Sequence, residues 1–195
     1  MKTKHPASSP QLAPPGAGLP KIELFFARLM VQWQSRRTSR QSADATFRKE
    51  RDSILQLVAS TSPEDMMTQV LIKRLPGLED SSRYWSVVMT LDHLRIVNKE
   101  VAGVIASLCA GQLPQKPVST AAVKPEEGVD LSVVSAFEQG CHDFEKTVAA
   151  QKELRTPLCH THPWFGPMNA ADWHFMAAFH MGLHRRQIER ILGSL

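Results

Sequence analysis

Three histidines in this sequence stand where they could hold a metal ion: His180 and His184, four residues apart, and His93 far upstream. On a helix a four-residue step puts both imidazoles of such a pair on one face. A wheel of about 100° per residue sets His184 about 40° and Gln187 about 20° from His180. Trp173, Met176, Ala177, Ile188 and Ile191 share that arc, while Ala178, Gly182, Arg185 and Glu189 lie opposite. The pair is therefore expected on the inward face, with His174, about 120° round, on its flank. Around His93 the same construction gathers Met89, Thr90, Val97, Val101, Val104 and Leu108, and sends Arg95, Asn98 and Lys99 away. Glu100 falls about 20° from His93 and is expected on the same buried face.

An imidazole buried without a partner costs on the order of 1–3 kcal/mol, so three inward histidines need an explanation. A His pair on one helix, closed by a third His from a facing helix, brings three ring nitrogens around one point, a common bundle metal site. Three protein ligands leave one position open for water or substrate, which marks a catalytic rather than a purely structural ion. The competing reading makes each histidine a core residue bonded to a carbonyl or carboxylate, and H-x-x-x-H alone also arises by chance.

Other residues are candidates around that centre. Glu100 is read as a general base or a partner of a ligand, against a plain salt bridge at the bundle end. Gln187 is a candidate to orient a ligand or bind substrate, against a buried amide with a backbone partner. Trp85, Trp164, Phe165 and Trp173 read mainly as core, although Trp164 and Phe165, on a Pro/Gly-rich loop, are candidates for the mouth of a pocket. Cys159-His160-Thr161-His162 is a rival cluster, crowded into a loop with no fourth ligand nearby, whose thiol would be activated by a neighbouring His. No Ser-His-Asp pattern, glycine-rich phosphate loop or paired C-x-x-C stands out.

These side chains require helices to position them. From Pro20, Ile22, Phe25, Phe26, Leu29, Met30 and Trp33 recur at helical steps, and Phe47, Ile54, Leu55 and Val58 continue the pattern as one helix or as two broken near Ser39–Ser42. Ser62-Pro63-Glu64-Asp65 reads as a capped start of a short helix ending near Arg74. Further helices are expected over about Ser81–Cys109, Leu131–Lys152 and Asn169–Leu192, with Gly193 as the stop. Gly111–Gly128 is a connector and Pro157–Pro167 a loop. Nothing alternates convincingly with period two. The expected fold is all-α: a four-helix bundle with long loops over residues 20–195, after a Pro/Gly-rich tail, residues 1–19, that is disordered or draped on the surface.

Composition bounds the function classes. A 195-residue chain, 43% hydrophobic and 22% charged, suits one globular domain, and no apolar run reaches membrane-spanning length. Three scattered cysteines, Cys109, Cys141 and Cys159, do not make a disulfide framework. A cytoplasmic location is the default expectation. The net charge of +4 divides into +7 over residues 1–51 (ten Lys/Arg against three acids) and −3 over the rest (thirteen against sixteen). That basic stretch is interleaved with the apolar positions of a helix and lacks base-stacking aromatics, which argues for a solvated face and against nucleic acid.

Two segments resemble the DinB-like superfamily of metalloenzymes. The first is Trp85-Ser86 through His93-Leu94, a Trp-Ser helix start followed by His-Leu. The second runs from His162-Pro163-Trp164-Phe165-Gly166-Pro167 through Trp173 to His180-Met181-Gly182-Leu183-His184-Arg185-Arg186-Gln187, resembling a branch with an H-P-aromatic-F-G-P loop before H-x-x-x-H. The resemblance spans roughly residues 20–193; the basic, proline-containing N-terminus is not part of it. It implies a four-helix bundle, often dimeric, with zinc or nickel held by the residues at His93, His180 and His184. Relatives of that kind include thiol-dependent transferases and an isomerase, which sets the expectation of a metal-dependent transferase or hydrolase acting on a small-molecule substrate. The alternative is a non-catalytic bundle that binds metal or ligand for a structural or stress-response role.

Overall fold

A computed structural model describes residues 10–195. Its helices are α1 (Lys21–Arg37), α2 (Arg40–Ala59), α3 (Pro63–Met67), α4 (Val87–Cys109), α5 (Val133–Ala149) and α6 (Ala170–Leu192), with short strands β1 (Val70–Leu71), β2 (Tyr84–Trp85), β3 (His160–His162) and β4 (Gly166–Met168). Helices α2, α4, α5 and α6 form the bundle: α6 lies between α2 and α4, and α5 closes the other side against both. The core is aliphatic and aromatic, with Phe47 of α2 stacked on Phe144 of α5 at 4.5 Å between ring centres and 20° between planes. Both rings are almost wholly buried. Phe144→Ala is expected to cost about 3–5 kcal/mol through lost burial and the cavity left behind, read as a lower urea midpoint. Among the described residues no helix is long and apolar enough to cross a membrane.

The chain after Pro20 makes two helices. Thr38 is extended, and the Ser39 side chain accepts the Ser42 backbone N–H to start α2 afresh. Ser62 caps α3 through the Asp65 N–H as its sequence predicts, but the helix stops at Met67 rather than near Arg74. There the backbone turns extended and Val70–Leu71 pairs antiparallel with Tyr84–Trp85. The helix expected from Ser81 accordingly begins at Val87, after a 3-10 turn over Asp80–Ser82, with Ser86 capping it through the Met89 N–H. Pro157–Pro167 likewise contains β3, which pairs with β4 as a small antiparallel hairpin. Strands of two or three residues are too short for alternation to stand out in sequence.

Of the expected tail, residues 1–9 lie outside the described residues. The backbone from Pro10 to Leu19 runs against the 3-10 turn: the Ala13 N–H donates to Asp80 Oδ2 (2.8 Å) and the Gly18 N–H to Glu79 Oε1 (3.2 Å).

The stripe Ile22, Phe25, Phe26, Leu29 and Trp33, whose spacing marks the apolar side of α1, is half or more exposed. Helix α1 instead turns Ala27, Val31 and Ser35 inward, a spacing of four, packing against α6 from outside the bundle. The side of α6 opposite the histidine pair, expected to face solvent, is partly buried, including Ala178 and Gly182. A Cβ at Gly182 would meet the Glu50 side chain of α2 at 3.3 Å, and Arg185 pairs with that same Glu50. Helix α6 is thus the central helix, and small residues admit its neighbour.

Candidate metal centre

The caps of two helices set the histidines. Ser86 starts α4 and puts His93 in its second turn. Asn169 starts α6 with a reciprocal capping box to Asp172, and the helix delivers His180 and His184 one turn apart on the side facing α4. The three imidazoles converge edge to edge: His180 Nε2 lies 3.2 Å from His93 Nε2 and 3.0 Å from His184 Nε2. Among the described residues this is the one group of three His, Cys, Asp or Glu side chains whose ligand atoms lie within 4.8 Å of one another.

Hydrogen bonds on the far side of two rings decide where their protons sit. His93 Nδ1 donates to the Val123 carbonyl at 2.5 Å, which leaves the Nε2 lone pair free. His184 Nδ1 donates to Gln187 Oε1 at 2.7 Å, and the Gln187 amide in turn donates to the Ser82 carbonyl at 2.7 Å. His180 Nδ1 is buried with no partner. Burial pushes His93 down to about 4, and it holds His180 and His184 well below the ordinary histidine range, with the neighbouring imidazoles adding to the effect. All three are neutral at pH 7, the form in which imidazole binds a metal.

The donor set fits a divalent ion. Nitrogens about 2.0–2.1 Å from a tetrahedral centre stand roughly 3.3 Å apart, close to the 3.0 and 3.2 Å seen here. Without an ion two lone pairs aim at the same nitrogen, and at most one of those contacts becomes a hydrogen bond. Trp85, from β2, covers the group, stacking on His184 (6.2 Å, 15°) and tilted against His93 (5.2 Å). Lys124 donates to Glu79 Oε2 (2.6 Å) and to Ser82 Oγ (3.0 Å), and its ammonium lies 5.4 Å from the Trp85 ring centre. Burial would raise the Glu79 carboxyl; the Lys124 hydrogen bond and charge, with backbone N–H groups of Gly16 and Gly18, hold it below its ordinary value instead.

The histidine cluster opens on a cavity of about 1800 Å³ lined also by His162, Trp164, Phe165 and Trp173. Strand β3 separates the rival cluster: His162 is buried and His160 half-buried, while Cys159 and Thr161 face solvent. The Trp164 N–H donates to His162 Nδ1 at 3.1 Å, so the His162 proton sits on Nε2. That ring stacks on Phe165 (4.7 Å, 20°), and burial pushes it down to about 4. Trp164 and Phe165 do line the cavity, and Gln187 bonds a histidine of the cluster. Glu100 also borders the cavity but is exposed rather than buried, and sits two turns, about 10 Å, along α4 from His93. Its angle round α4 matches that of His93, but this stretch of the helix borders the open cavity rather than packed core. His174, expected on a flank, is buried with Nε2 3.0 Å from Asp44 Oδ1 of α2. Sequence reasoning missed Val123, Ser82 and Lys124, which act through backbone carbonyls or from connectors and carry no spacing signal. His162 stood in the sequence only as part of the rival cluster and the loop motif, because a three-residue strand gives no visible alternation to turn it inward.

The sequence model of the DinB superfamily matches residues 47–188. The crystal structure of TT2238, described as a four-helix bundle protein, superposes with a TM-score of 0.57 at 18% identity, covering 76% of this chain and 97% of that one. No curated protein matches the chain.

Proposed function

The chain belongs to the DinB superfamily, and from that premise we propose that it is a metal-dependent enzyme in which His93, His180 and His184 hold one zinc or nickel ion. The proposed reaction is a thiol-dependent transfer or a hydrolysis on a small molecule. The observation that carries this reading is the convergence of three neutral Nε2 atoms at a cavity, two of them on rings oriented by hydrogen bonds. Three protein ligands rather than four, beside a space large enough for substrate, favour catalysis over a closed structural site. When bound, the ion would supply Lewis acidity at its open position.

The chain's own residues prepare that position. Val123 and Gln187 fix two rings so that each offers a lone pair inward. The His162 Nε2–H, held by the Trp164 backbone and stacked on Phe165, is a neutral donor available to substrate in the same cavity. Trp85 shields the cluster on one side. Gln187→Leu removes the partner that orients His184 and is expected to weaken zinc affinity about 10–100-fold, measured by competition with a chelating dye.

The function is tested with untagged protein loaded with zinc or nickel, offered low-molecular-weight thiols with an electrophile such as chlorodinitrobenzene, and separately activated esters. The expected result is turnover that requires the ion and disappears in His180→Ala. Protein that holds the ion stoichiometrically yet turns over neither substrate class would return the reading to a non-catalytic metal-binding bundle.

A further inference from the structure

The cavity does not stop at the histidines. On α4 its wall continues from His93 through Ile96, Gly103 and Val104 to Ser107, one face of the helix over about 21 Å. The opposite wall is Phe26, Leu29, Met30 and Trp33 of α1, part of the stripe that the bundle leaves exposed. Two largely apolar helix faces therefore look at one another across a space of about 1800 Å³, well above the roughly 300–1000 Å³ of ordinary small-molecule pockets. The polar groups are unevenly placed along it. The three converging Nε2 atoms lie at one end, whereas the charged side chains Lys99, Glu100, Lys116 and Arg186 that also border it are exposed.

A long apolar trough ending at a metal-binding head site selects one ligand chemistry. We propose that the substrate is an amphiphile, with a chain-like apolar body about 20 Å long lying between α1 and α4 and one small metal-binding head at the histidines. The head-group part rests on the metal-enzyme reading above; the body rests on the cavity alone. A compact thiol or ester would leave most of both walls in water, and burying each methylene of a chain there contributes a favourable increment.

The test is a titration of full-length, zinc-loaded protein with n-alkyl hydroxamic acids from two to twelve carbons, each below its micellar concentration. Tryptophan fluorescence is the readout, since Trp33, Trp164 and Trp173 line the trough. Affinity is expected to rise roughly fourfold per added methylene. Leu29→Arg, at a half-exposed position that the fold does not need buried, should flatten the rise and leave acetohydroxamate affinity unchanged. In His180→Ala the preference for the hydroxamate head should vanish while the rise persists. That same persistence in a wild type that takes up no metal would sink the enzyme reading alone. No gain beyond the shortest chains in zinc-containing protein would overturn the amphiphile. So would a stable dimer that Leu29→Arg dissociates and that excludes every chain length, since the α1 stripe would then be a subunit interface.

Discussion

His180→Ala is expected to abolish binding of a divalent ion and yet leave the metal-free bundle as stable as the metal-free wild type, within about 1 kcal/mol. The two halves have separate causes. Removing a partner that merely orients a ligand costs about 10–100-fold in affinity, so removing the nitrogen nearest to both others should cost more than 100-fold. Stability is spared because the variant removes a buried Nδ1 that has no partner and an Nε2 that crowds two other nitrogens at 3.0 and 3.2 Å. Calorimetric zinc titration paired with urea unfolding in chelator reads both quantities on one preparation. A variant that unfolds without metal would make His180 a packing residue; one that retains wild-type affinity would remove it from the ligands.

Acid should destabilise the metal-free protein steeply between pH 6.5 and 4. Burial pushes both His93 and His162 from 6.5 down to about 4. The unfolded chain takes up those protons as pH falls through 6.5, and the folded chain does not until about 4. Stability is therefore full above 6.5, falls across the window, and stays low beneath it. Each group contributes a loss of about 3 kcal/mol by pH 4. His162→Gln should remove about 3 kcal/mol of that loss, seen as a shallower dependence of urea-unfolding free energy on pH. Equal slopes for variant and wild type would mean that the His162 ring reaches water.

The helical wheels found the three histidines because four-residue spacing and apolar neighbours on α4 and α6 are local signals that the packing then honoured. On α1 the same spacing gave the helix, but Ile22, Phe25 and Phe26 face outward. Periodicity shows that a helix has an apolar side; it does not show that the fold covers that side. It failed for Gly182 and Ala178, whose small size reads as indifferent on a wheel but admits α2 against α6. Strands β1 to β4 are too short to alternate visibly, and Val123, Ser82 and Lys124 reach the centre from connectors, so no pattern in the chain announces them.

The most direct test of the three-histidine centre is X-ray absorption at the zinc edge on untagged, dialysed protein. One zinc per chain is expected, with imidazole scattering from three nitrogens at about 2.0–2.1 Å and no sulfur. Sulfur at about 2.3 Å, which would bring in one of the cysteines, or protein that retains neither zinc nor nickel after incubation with both, would contradict that centre.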